Sequence, residues 1–183
     1  MMFLVLLFFH LLGVAIVFAA MGIELAAHVA LLRAQTIAQA RAALCNTSPI
    51  GPLMGLGVAL LVIMGVAMIF AGGFGWQPWV IVAFVTTIAL AINGPITNGK
   101  RGEALNRLAQ NAPDGPITPK FAAARLDRVL NYSVFATACE LIALLYIMSN
   151  KPGLAGSLLT IAIAAVVAVV PAALLTRVAT ASE

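Results

Sequence analysis

MMFLVLLFFHLLGVAIVFAAMGIELAAHVALLR, residues 1–33, is the stretch whose reading decides the fold. It is apolar for long enough to cross the roughly 30 Å hydrocarbon core of a bilayer. Yet it carries His10, Glu24 and His28. At about 100° per residue, Glu24 falls about 40° from His10, and His28 returns to the line of His10. All three share one stripe with Leu6, Val17 and Met21. Such a stripe should face protein or water, because an ionisable group in hydrocarbon is costly unless something satisfies it.

The rest of the chain has the same character. Its 183 residues are 63% hydrophobic and only 9% charged, with a mean hydropathy of +1.09. A soluble domain carries about 25% charged residues, so this chain lacks the polar surface for a water-facing fold. The expected class is all-α: a polytopic transmembrane helical bundle forming a single domain over 1–183. Five spans are expected, at about 2–31, 51–73, 76–94, 131–149 and 153–176. The N-terminus does not read as a cleaved signal peptide, since it has no positive n-region and its apolar run exceeds the usual 7–15 residues or so.

Charge sets the expected orientation. Nine of the ten Lys and Arg residues (Arg33, Arg41, Lys100, Arg101, Arg107, Lys120, Arg125, Arg128 and Arg177) fall on one side of a five-span chain, and Lys151 alone on the other. The positive-inside rule then places the N-terminus outside and the C-terminus in the cytoplasm, with a cytoplasmic loop at about 95–130. The net charge of +4 is thus topological, and no basic element interleaved with aromatics points to nucleic acid. Cys45 and Cys139 form no spacing motif and read as free thiols.

Local signals refine the connections. Arg33 and Arg41 flank an alanine-rich loop ending in Asn46-Thr47-Ser48-Pro49, and Trp76 and Trp79 sit where an aromatic belt would place them. Thr118-Pro119 reads as an N-cap followed by an N1 proline, opening a helix that runs into the fourth span. Gly102–Gln110 suits a short amphipathic helix on the cytoplasmic surface. In the Lys151-Pro152-Gly153 hairpin, glycine is expected to supply the turn. Pro171 should bend the fifth span near its cytoplasmic end. Gly51 and Gly55, with Gly57 and Gly65, form a close-packing signature on the second span. Gly94–Lys100 matches the spacing of a phosphate loop, but Arg101 replaces the Ser or Thr that holds magnesium, so that reading is set aside.

Depth suggests which polar groups could meet. Counted from opposite membrane faces, His10 and Glu140 each lie about 13 Å along their helices, near the midplane. Ser133 and Thr137 share the face of Glu140. A His10–Glu140 pair is therefore the candidate ion- or cofactor-binding site; a hydrogen-bonded pair that only fixes helix register is the other reading. Glu24 and His28, spaced i,i+4 near the cytoplasmic interface, are expected to bridge each other there, with His28 at or just beyond the boundary. No metal centre is expected, because no third ligand is evident. A haem would need His10 with Met64 or Met68, or an open axial position, since His10 and His28 are about 27 Å apart on one helix.

FFHLLG in the first span, and LIALLYIMSNKP at 141–152, resemble a small bacterial integral-membrane family of unknown function with four spans. That resemblance covers roughly 3–152 and leaves the fifth span as an addition. More distantly, His10 is placed like the first-span histidine of the HemJ-type protoporphyrinogen oxidases, and CopD-type copper proteins share the bundle style. The HemJ type relies on a lysine within a later span, whereas here Lys100 and Lys151 are both in loops. No catalytic residues stand out. The expected function is a non-enzymatic, multi-pass protein of the bacterial inner membrane, either an accessory subunit of a larger complex or homo-oligomer, or a binder of an ion or lipophilic cofactor. A small haem-binding redox enzyme and a transporter or channel are the alternatives.

Overall fold

The computed structural model describes residues 1–45 and 50–181. Nine α-helices run through them: α1 (Met2–Arg33), α2 (Ile37–Cys45), α3 (Ile50–Gly72), α4 (Pro78–Asn93), α5 (Lys100–Asn111), α6 (Pro119–Arg125), α7 (Arg128–Asn150), α8 (Leu154–Val167) and α9 (Val169–Ala181). A π-helical segment, Gly94–Gly99, joins α4 to α5. Five stretches are long and apolar enough to cross a membrane: Met2–Arg33, Ile37–Gly72, Pro78–Asn111, Pro119–Asn150 and Leu154–Leu175. The chain is a five-span helical bundle.

Three of these stretches continue past the expected boundaries. The supposed loop after Arg33 folds as α2, because Thr36 accepts a hydrogen bond from the Gln39 amide while the Gln39 side chain accepts from the amide of Gln35. These reciprocal bonds work like a capping box. Asn46–Pro49, expected to end that loop, lie outside the described residues. The third span runs on through the π segment into α5 rather than ending near residue 94. Pro95 has no N–H for the preceding turn, and an i→i+5 register lets the helix pass over that gap instead of stopping.

Thr118 caps α6 as its sequence implies, accepting from the Phe121 amide at 3.3 Å. That helix does not run smoothly into the next: Asp127 interrupts it and caps α7 by accepting from the amides of Val129 and Leu130. In the hairpin after α7 the left-handed residue is Lys151 (φ 50°), whereas Gly153 is extended. The Lys151 ammonium lies over the Trp79 ring at 5.7 Å, a contact that helps hold this turn. The fifth span breaks at Ala168, where Pro171 offers no N–H to the carbonyl of Val167.

α1 and α3 form the most extensive helix pair. Gly13 and Gly57 let them touch: a Cβ on Gly13 would lie 2.7 Å from the Leu61 nitrogen, and one on Gly57 would lie 2.8 Å from Val17 Cγ2. A Cβ on Gly51 or Gly55, the GxxxG pair, would meet nothing within 4 Å among the described residues, so the close approach is made by other glycines than that pair.

α2, α5 and α6 pack into a cap at one end of the bundle. Leu105 and Ala109 of α5 are buried with Ile37, Ala40 and Phe121. The apolar face of α5 thus rests on protein, not on a membrane surface. Arg41 ties the cap together, donating to the carbonyls of Ala109 and Ala112 and pairing with Asp114. A bridge between Thr36 and Pro116 closes it, beside Gly115, whose φ of 144° requires glycine.

Candidate functional site

Several polar groups of the spans gather beneath this cap, where α1, the π segment and α7 meet. His28 is 6% exposed, and its Nε2 lies 2.7 Å from Asn131 Oδ1. Asn131 in turn donates to the carbonyls of Arg125 and Asp127, so one amide pins the α6–α7 junction to α1. Phe135 meets the His28 ring edge-on. Arg125, 1% exposed, donates to the carbonyl of Ala34 at the end of α1, where a cation also suits the helix dipole.

About one turn closer to the N-terminus of α1, the surroundings change. Glu24 accepts a hydrogen bond from Asn98 Nδ2 at 3.1 Å, and the buried Asn98 Oδ1 has no hydrogen-bond partner among the described residues. Asn98 belongs to the π segment, as does Thr97, whose hydroxyl donates to Asn93 Oδ1. Asn93 then donates to Ser133 Oγ at 2.9 Å, crossing from α4 to α7. Thr137 donates to the Ser133 carbonyl. Arg101, just beyond the π segment, pairs with Asp127.

This arrangement changes both expected pairings. Glu24 and His28 do not bridge each other: each reaches across to another element, and His28 is buried in the protein. Nor does a hydrogen bond or ion pair join His10 to Glu140. His10 Nδ1 bonds the Leu61 carbonyl at 2.9 Å, with the ring against Gly65, while Glu140 is partly buried and makes no hydrogen bond to the described residues.

Register explains the separation. The His28–Asn131 contact aligns antiparallel α1 and α7; from it, His10 lies about 27 Å along its helix but Glu140 only about 14 Å. Counting each depth from its own entry point overlooked how far α1 runs on past the bundle's polar end.

Comparison with protein-family models, with curated proteins and with solved structures finds no match for this chain.

The site must therefore be read from its own atoms. Among the described residues, no three His, Cys, Asp or Glu side chains come together. The cluster offers one carboxylate, an amide oxygen lacking a donor, and neutral hydroxyls and carbonyls. Such oxygen ligands suit hard cations more than transition metals. His10, bonded through Nδ1, keeps Nε2 as the nitrogen for any ligand on the α1–α3 pair.

Asn98, Asn93 and Asn131 were not singled out as site residues from the sequence. A proline followed closely by Thr97 and Asn98 within a helical stretch was the available signal, because it marks where a helix must change register beside polar side chains.

Proposed function

We propose that this is a non-enzymatic membrane protein that holds a small monovalent cation between Glu24 and Asn98. The observation that carries the reading is the buried Asn98 Oδ1 without a donor, beside a carboxylate that already accepts from the same amide. A buried acceptor left unsatisfied costs about 1–3 kcal/mol, and a bound cation removes that cost while neutralising Glu24. The shortage of charged ligands favours a monovalent ion over Ca²⁺, which takes several carboxylates.

The reading extends to placement. The nine-to-one charge split supports a cytoplasmic side for the cap and this site, with the N-terminus outside. The resemblance to small bacterial membrane proteins makes the inner membrane the proposed location. A larger complex or a homo-oligomer is the proposed setting, as expected of an accessory protein.

The test is thermal unfolding of the detergent-solubilised protein with Na⁺ or K⁺ exchanged against choline at constant ionic strength. A specific ion at about 100 times its Kd adds roughly 2.7 kcal/mol. For a chain of this size that amounts to a Tm rise of about 5–10 °C. Glu24→Gln and Asn98→Leu should each abolish the rise. A Tm indifferent to both cations, or a rise that survives both substitutions, refutes the site.

A further inference from the structure

The side of α1 turned away from Glu24 carries a cleft. At about 100° per residue, Arg33 lies about 180° from Glu24, and Gly22, Ala26 and Ala30 share its stripe. All four are exposed. Leu25 and Val29 wall the stripe, packed on the cluster of Phe135, Ala136 and Ala172. Beside them runs an apolar groove of about 600 Å³ that ends at Arg33. A second cavity, of about 450 Å³, starts from the same Ala30 and Arg33 and continues along α2 past Gln39 and Ala43. Both volumes fall within the roughly 300–1,000 Å³ of small-molecule sites.

Charge distinguishes the junction of the two cavities. The carboxylates of the cap are taken by other arginines: Asp114 by Arg41, Asp127 by Arg101 and Glu103 by Arg107. Arg33 makes no ion pair or hydrogen bond with the described residues. Gln39 accepts from the Gln35 amide through Oε1, which leaves its Nε2 to donate. A guanidinium and an amide N–H at one junction suit an anion. Lys100, Lys120 and Arg128 are exposed cations too, but they line neither cavity. Depth fits as well. α1 has 32 residues and is about 48 Å long, beyond the roughly 30 Å of the hydrocarbon core, so its capped end reaches headgroup level.

We infer that this cleft holds one anionic phospholipid. An acyl chain lies along Gly22, Ala26 and Ala30, the phosphate meets Arg33 and Gln39 Nε2, and the rest of the headgroup occupies the cavity beside α2. The order of the cleft, apolar groove then cation then polar chamber, is the order of the lipid itself. The site uses neither Glu24 nor Asn98, so it stands or falls separately from the cation site.

The experiment is native mass spectrometry of the full chain released from detergent, with phosphatidylglycerol and phosphatidylcholine of identical acyl chains as competing probes. One phosphatidylglycerol should be retained per chain, about fivefold in preference to phosphatidylcholine, as one cation at an anionic headgroup implies. Arg33→Gln should bring that preference close to one without reducing phosphatidylcholine retention. A Cβ on Gly22 would meet nothing within 4 Å among the described residues, so Gly22→Leu fills the groove without a clash. It should cut retention of both lipids, and Ala26→Leu on the same stripe should do likewise. Gel filtration and melting check that each variant folds. Glycerol phosphate, the headgroup without its chains, should not displace the lipid. Equal retention of the two lipids by the wild type overturns the proposal, as does a preference that survives Arg33→Gln. Unchanged retention in both groove variants overturns it too, and displacement by glycerol phosphate reduces the cleft to an anion contact. A lipid-free dimer that the groove variants dissociate overturns it in favour of a second copy of the chain.

Discussion

Gly13→Ala and Gly55→Ala add the same methyl group to the same helix pair and should move stability in opposite directions. At Gly13 the new Cβ would sit 2.7 Å from the Leu61 nitrogen, 2.9 Å from the Gly57 carbonyl oxygen and 3.1 Å from Leu60 Cβ. Two of these atoms are backbone, so no side chain can swing away, and α1 and α3 must part by several tenths of an ångström. Overpacking of this kind costs about 1–3 kcal/mol. The better helix propensity of alanine returns roughly 1 kcal/mol of that. Without a hydrophobic force between helices in lipid, lost close contact is poorly replaced, so Gly13→Ala should lose about 1–2 kcal/mol net. At Gly55 the new Cβ would meet nothing within 4 Å among the described residues, and only the propensity gain of up to about 1 kcal/mol remains. Reversible unfolding in mixed micelles, titrated with a denaturing detergent, measures both variants against the wild type. If Gly55→Ala is the more damaging, the helix pairing described here is wrong and the GxxxG face is the true contact.

Other outcomes follow from the polar end of the bundle. His28→Ala and Asn131→Ala should show a coupling energy of about 1–2 kcal/mol in a double-mutant cycle, whereas Glu24→Ala with His28→Ala should be additive within about 0.5 kcal/mol. A large coupling in the second cycle would restore the i,i+4 bridge. Arg125→Met should cost about 2–3 kcal/mol, since it leaves the Ala34 carbonyl without its charged donor; limited trypsin digestion should then cut faster after Lys120, an exposed residue of α6. An unchanged digestion rate would show that Arg125 does not hold the cap. A haem ligated through His10 Nε2 predicts a Soret band in the gently purified protein that His10→Ala removes, and a colourless preparation rejects the redox-enzyme reading.

The spans were legible because hydropathy needs only composition along the chain, and the five apolar stretches lie where it puts them. Thr118-Pro119 was legible for a related reason: an N-cap acts within four residues. Pro171 and the Lys151 hairpin were read correctly as interruptions, although the left-handed conformation went to Lys151 instead of glycine. What failed depends on how one helix slides along another. The partners of Glu24, His28 and His10 are an asparagine on the π segment, an asparagine on α7 and a backbone carbonyl on α3. No periodicity within α1 encodes those choices. Helix continuation past Pro95 was hidden for a different reason, since proline ordinarily argues for an end and only the i→i+5 register makes it a joint.

That joint has a mechanical meaning. Pro78–Asn111 is one continuous helical stretch about 50 Å long, with α4 among the spanning helices and α5 gripped by the cap. Because the wide turn at 94–99 holds an extra residue, moving that extra residue along by one position turns only the residue it passes, by about 100°, and leaves the helix on either side in register. Such a shift re-aims a single side chain of the segment, Asn98 among them, while α4 and α5 keep their own packing.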